Sequence, residues 1–443
     1  MNEKPQNQVK IPTLETEVPI MPEVSKTPEE TKKQDGKKTG IAIGISSVLV
    51  MLVVVISVVL TMHMQRGNAG DSGDGDGGAG MVDDGEEEEI IVLENTELAS
   101  GTVTTTIGGK TVTYSGAYVV DGINATIGSG TYESAIDNQA VFLVVNGGSL
   151  TIQGDVTINK TGSTNFQGRG DEYSFYGINS AIVVVGESSS VSINGATITT
   201  SVSGANAVVA TRGGEVAIKN STIATSKDNS RGLHATYGGT ITADKVVIET
   251  QGGSSATLAT DRGSGIVVAK NMTLSTAGAG SPLIYSTGEI EVSDSTGIAT
   301  GAQIAVVEGK NSIVLDNCEF SANGVGNRNS VDNAAVMIYQ SMSGDASVGT
   351  GSFTATGCVL TVLPTSSVYT TTPFFFVTNT TATITLDDVT ADFYEGGYLI
   401  LASGTDEWGK SGANGGIVTI EATELTASNT QVYVGENSSV NGL

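Results

Sequence analysis

The stretch "EVAIKNSTIATSKDNSRGLHATYGGTITADKVVIET" occupies residues 215–250. It holds "VAIKN" at 216–220 and, one interval later, "ITADK" at 241–245. In both, two apolar residues flank a small or polar one, and a polar residue then leads into a turn position. Alternation with a period of two describes a strand with one buried face. Between the copies, "LHAT" at 233–236 supplies another short strand. A unit of about 23–26 residues holding three short strands has the length of one rung of a parallel β-helix.

The same pattern recurs outward in both directions, as "LTIQG", "VSING", "VVAKN", "IEVSD", "IVLDN", "FTATG", "ITLDD" and "VTIEA". Its first apolar column runs from Leu150 through Val191, Val216, Ile241 and Val267 to Val418, and its second from Ile152 to Ile420. Two residues beyond the second column stand Gly154, Gly195, Asn220, Lys245, Asn271, Asp294, Asn317, Gly357, Asp388 and Ala422. Most are Gly, Asn or Asp, which accept a left-handed backbone at low cost, as a corner repeated in every rung requires. Longer intervals place insertions near residues 160–180, 321–334 and 361–373. The expected fold over 90–443 is therefore all-β, a right-handed parallel β-helix, its hand taken from the usual crossover rule.

What precedes the array differs in kind. Residues 1–40 hold five of the eight prolines and little periodic apolar content, so they read as a disordered cytoplasmic tail. Residues 41–64 carry no charge and are long enough, at about 1.5 Å per residue, to cross a bilayer core of about 30 Å. Lysines cluster before this segment, with Arg66 alone just after it. It therefore reads as a transmembrane signal-anchor helix with its N-terminus in the cytoplasm; its length argues against a cleaved signal peptide. Residues 65–89 form an acidic, Gly-rich linker. No register of "GDSGDGDGGAGMVDDGEEEE" at 70–89 fits a calcium loop, so an extended tether is expected. The expected location is the cell membrane, single-pass, with the β-helix outside.

Formal net charge is −26, which excludes nucleic acid as a partner because a duplex needs a cationic face. Two cysteines and two histidines leave no room for a disulfide framework or a Cys-based zinc cluster.

The stretches "SGTYESAIDNQAVFLV", "KDNSRGLHATYGGTITA", "GSPLIYSTGEIEVSD", "VVEGKNSIVL" and "VMIYQSMSGDASVGTGSFTATG" resemble the adhesin-like surface proteins of anaerobic gut bacteria, within the pectate-lyase-like β-helix superfamily. The resemblance covers roughly residues 128–420. It implies the fold more than an activity. Lyases of this superfamily place an Arg or Lys base beside clustered Asp that hold calcium, and hydrolases use close carboxylates on adjacent rungs. No cofactor is expected from the residues themselves; calcium is the one ion the resemblance leaves open.

Candidate site residues follow from position. Arg212, Tyr237 and Arg262 fall at matching points of three rungs and could line a groove for an acidic sugar, and Trp408, the single tryptophan, sits in an insertion suited to a glycan contact. Phe166, Arg169, Asp171, Tyr173 and Tyr176 belong to an insertion, with Phe175 among them, that should project from the rod, its aromatics either forming a contact site or packing down on the rod. Lys219, Asp244 and Lys270 share one column, where alternating charge stabilises the stack. Cys318 and Cys358 should point inward on consecutive rungs, within reach of a disulfide or as two buried thiols. His234 reads as structural, and Asp387–Asp388 as a turn pair. No cluster of acids beside an arginine is visible in the sequence. The expected function is adhesion or glycan contact without catalysis, with the membrane and a polysaccharide or neighbouring cell surface as partners. Two alternatives stand beside it: a membrane-tethered polysaccharide lyase or hydrolase, and a structural rod with a signalling tail.

Overall fold

A computed structural model describes residues 95–164, 170–327, 332–341, 346–406 and 414–443, with the side chains of 170–172 excepted. The tail, the apolar segment and the tether expected before residue 90 lie outside the described residues, as do Phe166, Arg169 and Trp408. Among the described residues no helix is long and apolar enough to cross a membrane.

The architecture is a parallel β-solenoid. Each rung contributes one short strand to a thirteen-stranded sheet, counted among the described residues, and one longer or divided strand to a second sheet that wraps around the rest of the coil. Strand Leu233–Thr236 pairs parallel with Leu258–Asp261 in the first sheet, and Glu215–Thr225 pairs parallel with Thr240–Thr250 in the second. The apolar columns stack in register: Val216 on Ile241, Ile241 on Val267, and onward through Ile290, Ile313 and Phe353 to Ile384. These side chains are at most 3% exposed. Burying one Ile or Val stabilises the coil by about 1.5–3 kcal/mol, and the stack repeats that gain in every rung.

The second sheet turns its corner on a left-handed residue. Positive φ occurs at nine of the ten expected positions, from Gly154 (89°) and Gly195 (85°) through Lys245 (56°) to Asp388 (51°). The exception is the last rung. There Ile384 pairs with Ile420 and Leu386 with Ala422, so the corner falls on Glu424, φ 54°, instead of Ala422. The run Ile417–Ala427 alternates over 11 residues, and a period of two cannot distinguish registers two residues apart.

Just inside the corner, one chemical device recurs. Ser221 Oγ accepts from the Ala196 N–H (3.2 Å) and donates to the Lys219 carbonyl (2.7 Å). Ser295 accepts from the Met272 N–H (2.9 Å) and donates to the Ser293 carbonyl. Cys358 Sγ does the same, accepting from the Cys318 N–H at 3.4 Å and donating to the Thr356 carbonyl at 3.2 Å. Of the two states left open by the sequence, the described one is a pair of free, buried thiols.

At the N-terminal end, Gly101–Ile107 and Lys110–Asp121 form an antiparallel hairpin across Gly108 and Gly109, whose φ values of 55° and 79° suit a tight hairpin turn. Its Val112 and Tyr114 pack with Val183, Val185 and Val209 on the outer face of the first sheet. That outer face is therefore roofed, and strands such as Leu233–Thr236 are buried on both sides.

Candidate functional site

The roof is completed by the insertion after residue 161. It contains a short helix, α1 (Gly170–Tyr176). The last carbonyls of a helix lack partners within it, and here the solenoid supplies them. Asn206 Nδ2 donates to the Ser174 carbonyl (2.6 Å), Thr236 Oγ1 to that of Phe175 (2.9 Å) and Tyr114 Oη to that of Tyr176 (2.7 Å). Gly177, φ 73°, ends the helix where a Cβ would meet Val209 at 2.9 Å. Of the two placements open to the insertion's aromatics, Phe175 and Tyr176 take the second: they are 6% and 5% exposed and pack down on the sheet.

Beside α1, the outward positions of successive rungs carry large polar groups where Val or Ala would suffice for packing. Register places His234 beside Ala259, Ala259 beside Tyr285, and Tyr285 beside Val306. Two residues further along the same strands stand Asp261 and Glu308, two rungs apart, and Glu308 pairs with Tyr339. At about 4.8 Å per rung, the Cα atoms of Asp261 and Glu308 are separated by roughly 10 Å.

Asp261 Oδ2 accepts from Arg231 Nη2 at 3.2 Å and lies 3.3 Å from His234 Nε2. Burial pushes the His234 imidazole down to about 4, against a smaller upward pull from its hydrogen bond to Asp261. The ring is therefore neutral near pH 7. Arg231 and Arg262 both lie over the Phe175 ring, at 5.4 and 4.5 Å from its centroid.

Glu308 is held differently. Its Oε2 accepts from Tyr285 Oη (2.6 Å) and Tyr339 Oη (2.8 Å), and its Oε1 accepts from Ser341 Oγ. Burial, then the neighbouring Glu308 carboxylate, raises both phenols well above their ordinary range, so they stay O–H donors.

These groups frame a cavity of about 180 Å³ whose walls include Phe175, Arg231, Asp261, Tyr285, Asp332 and Tyr339. That is about six water volumes at ~30 Å³ each. Asp332 enters from the second insertion, where its Oδ2 accepts from the Asn327 N–H at 2.9 Å. Glu308 lies behind the two tyrosines.

Arg212, Tyr237 and Arg262 stand at matching corners of three rungs, with φ of 54°, 48° and 40°, and the Tyr237 N–H donates to the Arg262 carbonyl at 2.8 Å. Arg212 is exposed. Tyr237 stacks on Tyr176 with centroids 5.7 Å apart and meets the hairpin turn at Gly108. Only Arg262 reaches the cavity's surroundings, through Phe175. Tyr173 is half-buried at the end of the insertion. Sequence reading did not single out Asp261, Glu308, Asp332 or Arg231 as site residues and took His234 as structural. The signal lay in the short strands "LHAT", "LATD", "LIYS", "AVVE" and "VMIY", whose outward positions break the small-or-apolar pattern.

No family model matches the sequence, and no curated protein does. A solved structure, the catalytic domain of a GH87 alpha-1,3-glucanase in complex with tetrasaccharides, is similar with a TM-score of 0.34 and 12% identity. The similarity covers 72% of this chain, which spans 63% of that chain's length. The expectation of a non-catalytic surface rod is corrected here. It rested on a lack of acids gathered beside an arginine, whereas Asp261 meets Arg231 at 3.2 Å and lines one cavity with it and with Asp332.

Proposed function

We propose that the cavity on the outer face of the first sheet is the active site of a glycoside hydrolase acting on a polysaccharide. One observation carries this reading: two carboxylates, Asp261 and Asp332, line the same small cavity with aromatic walls. Hydrolysis of a glycosidic bond uses such a pair, one protonating the leaving oxygen while the other assists attack on the sugar. Asp261, which meets the Arg231 guanidinium and faces the His234 ring, is the carboxylate proposed to assist attack. Asp332, from the opposite insertion, is the partner proposed as proton donor. Tyr285 and Tyr339, locked on Glu308, offer their rings to a sugar.

The charge balance argues for a neutral substrate. Among the described residues one guanidinium and two carboxylates line the cavity, on a chain of net charge −26, a balance that disfavours a polyuronate. Arg231 is engaged by Asp261 at 3.2 Å, which argues against a lyase base there.

The test is incubation of the full chain with neutral glucans and, separately, polyuronates, reading new reducing ends. Release from the neutral polymers, lost in Asp261→Asn and Asp332→Asn, supports the reading. We also propose, on the sequence alone, that the coil is right-handed and that residues 41–64 anchor the chain in a membrane with the N-terminus cytoplasmic, which would set the cavity among extracellular glycans.

A further inference from the structure

We infer that His234, with its tautomer set by Asn206, is a positioning residue that holds Asp261 as an acceptor-only carboxylate facing the cavity. The inference rests on the hydrolase reading above. Asn206 is fully buried and its amide is oriented by three contacts. Its Oδ1 accepts from the Arg231 N–H at 2.8 Å, and its Nδ2 donates to the Ser174 carbonyl at 2.6 Å. The same Nδ2 then faces His234 Nδ1 at 3.2 Å. An amide NH₂ is a donor only, and the Ser174 carbonyl that could otherwise take an Nδ1 proton is already taken by Asn206, so Nδ1 is assigned as the acceptor and the ring's single proton to Nε2. That proton points at Asp261 Oδ2, 3.3 Å away.

The direction of the chain matters. A carboxylate that accepts from a neutral N–H keeps its charge without sharing a proton, so Asp261 is held as a base. Asn206, His234 and Asp261 come from three successive rungs, and α1 seals them from water, with Phe175 at 6.4 Å from the imidazole centroid. The other groups facing Asp261 are Arg231, in contact, and Arg262 beside it in sequence. Tyr285, Tyr339 and Asp332 share its cavity, with Glu308 behind the tyrosines. None of these replaces the imidazole donor.

The experiment uses the full chain. His63 is the only other histidine, so the two ring spectra are readily told apart by variants. Nitrogen-15 spectra are expected to show His234 neutral and protonated on Nε2 between about pH 5 and 8. The acid limb of reducing-end release should move up by about one pH unit in His234→Leu and stay near that of the unaltered chain in His234→Gln, which keeps a donor. A ring protonated on Nδ1, or an acid limb that His234→Leu leaves in place, overturns the inference. So does a loss of rate that is uniform across pH. Should His234→Leu not fold, the ring measurement on the unaltered chain decides alone. Retained turnover in Asp261→Asn would instead remove the hydrolase reading, and the ring measurement would still judge the pairing.

Discussion

The Arg231 guanidinium and the Asp261 carboxylate meet at 3.2 Å in the cavity wall, with side chains 9% and 2% exposed. Removing one member of such a pair strands a charge away from water, at a cost of about 3–5 kcal/mol. Arg231→Met should therefore lower unfolding free energy by about 3 kcal/mol, measured by denaturant titration. The double variant Arg231→Met, Asp261→Asn should recover part of that loss. Equal loss in the single and double variants would show that the two groups are not coupled.

His234 makes stability depend on acid. Its ordinary value near 6.5 falls to about 4 in the folded state through burial. Below about pH 6.5 the unfolded chain binds a proton that the folded chain refuses, so stability is full above that value and declines as pH falls towards 4. The decline attributable to this group is on the order of 3 kcal/mol. Melting curves at pH 7 and pH 4 should show a smaller acid loss in His234→Gln than in the unaltered chain.

The inner corner accepts Ser and Cys by the same two hydrogen bonds, as Ser221, Ser295 and Cys358 show. Cys318 is 2% exposed, and its thiol is raised by the Cys358 contact and by burial. Both thiols should resist alkylation in the native chain and react fully after denaturation. Cys358→Ser should change stability by less than about 1 kcal/mol.

Lys245 holds a left-handed corner at φ 56° with its side chain exposed. A non-glycine residue there costs about 1 kcal/mol. Lys245→Gly should raise the melting temperature slightly, whereas Ile241→Ala, earlier in the same strand and fully buried, should lower stability by about 2–5 kcal/mol.

The solenoid was readable because its determinants are local and repeated. Ile241 and Val267 alternate with polar neighbours, and Asn220 and Asn271 mark corners that only a few residue types tolerate. The final rung slipped because its alternation continues through Glu424 without a Gly or Asn to fix the corner. The site was harder to read. His234, Asp261 and Glu308 are outward residues on different rungs, and an outward polar residue ordinarily means exposure to water. Their burial depends on α1 and the second insertion folding back over the sheet, a long-range event with no periodic trace. Arg231 and Asp332 lie between strands, where no repeat points to them.

Reducing-end release from neutral glucans, by the full chain and by Asp261→Asn, tests the central claim most directly. The account expects the unaltered chain to cleave at least one such polymer, and the folded variant to lose about 10²–10⁴-fold in rate, the usual contribution of a positioned acid or base. Turnover that Asp261→Asn leaves intact, or cleavage confined to polyuronates, would contradict it.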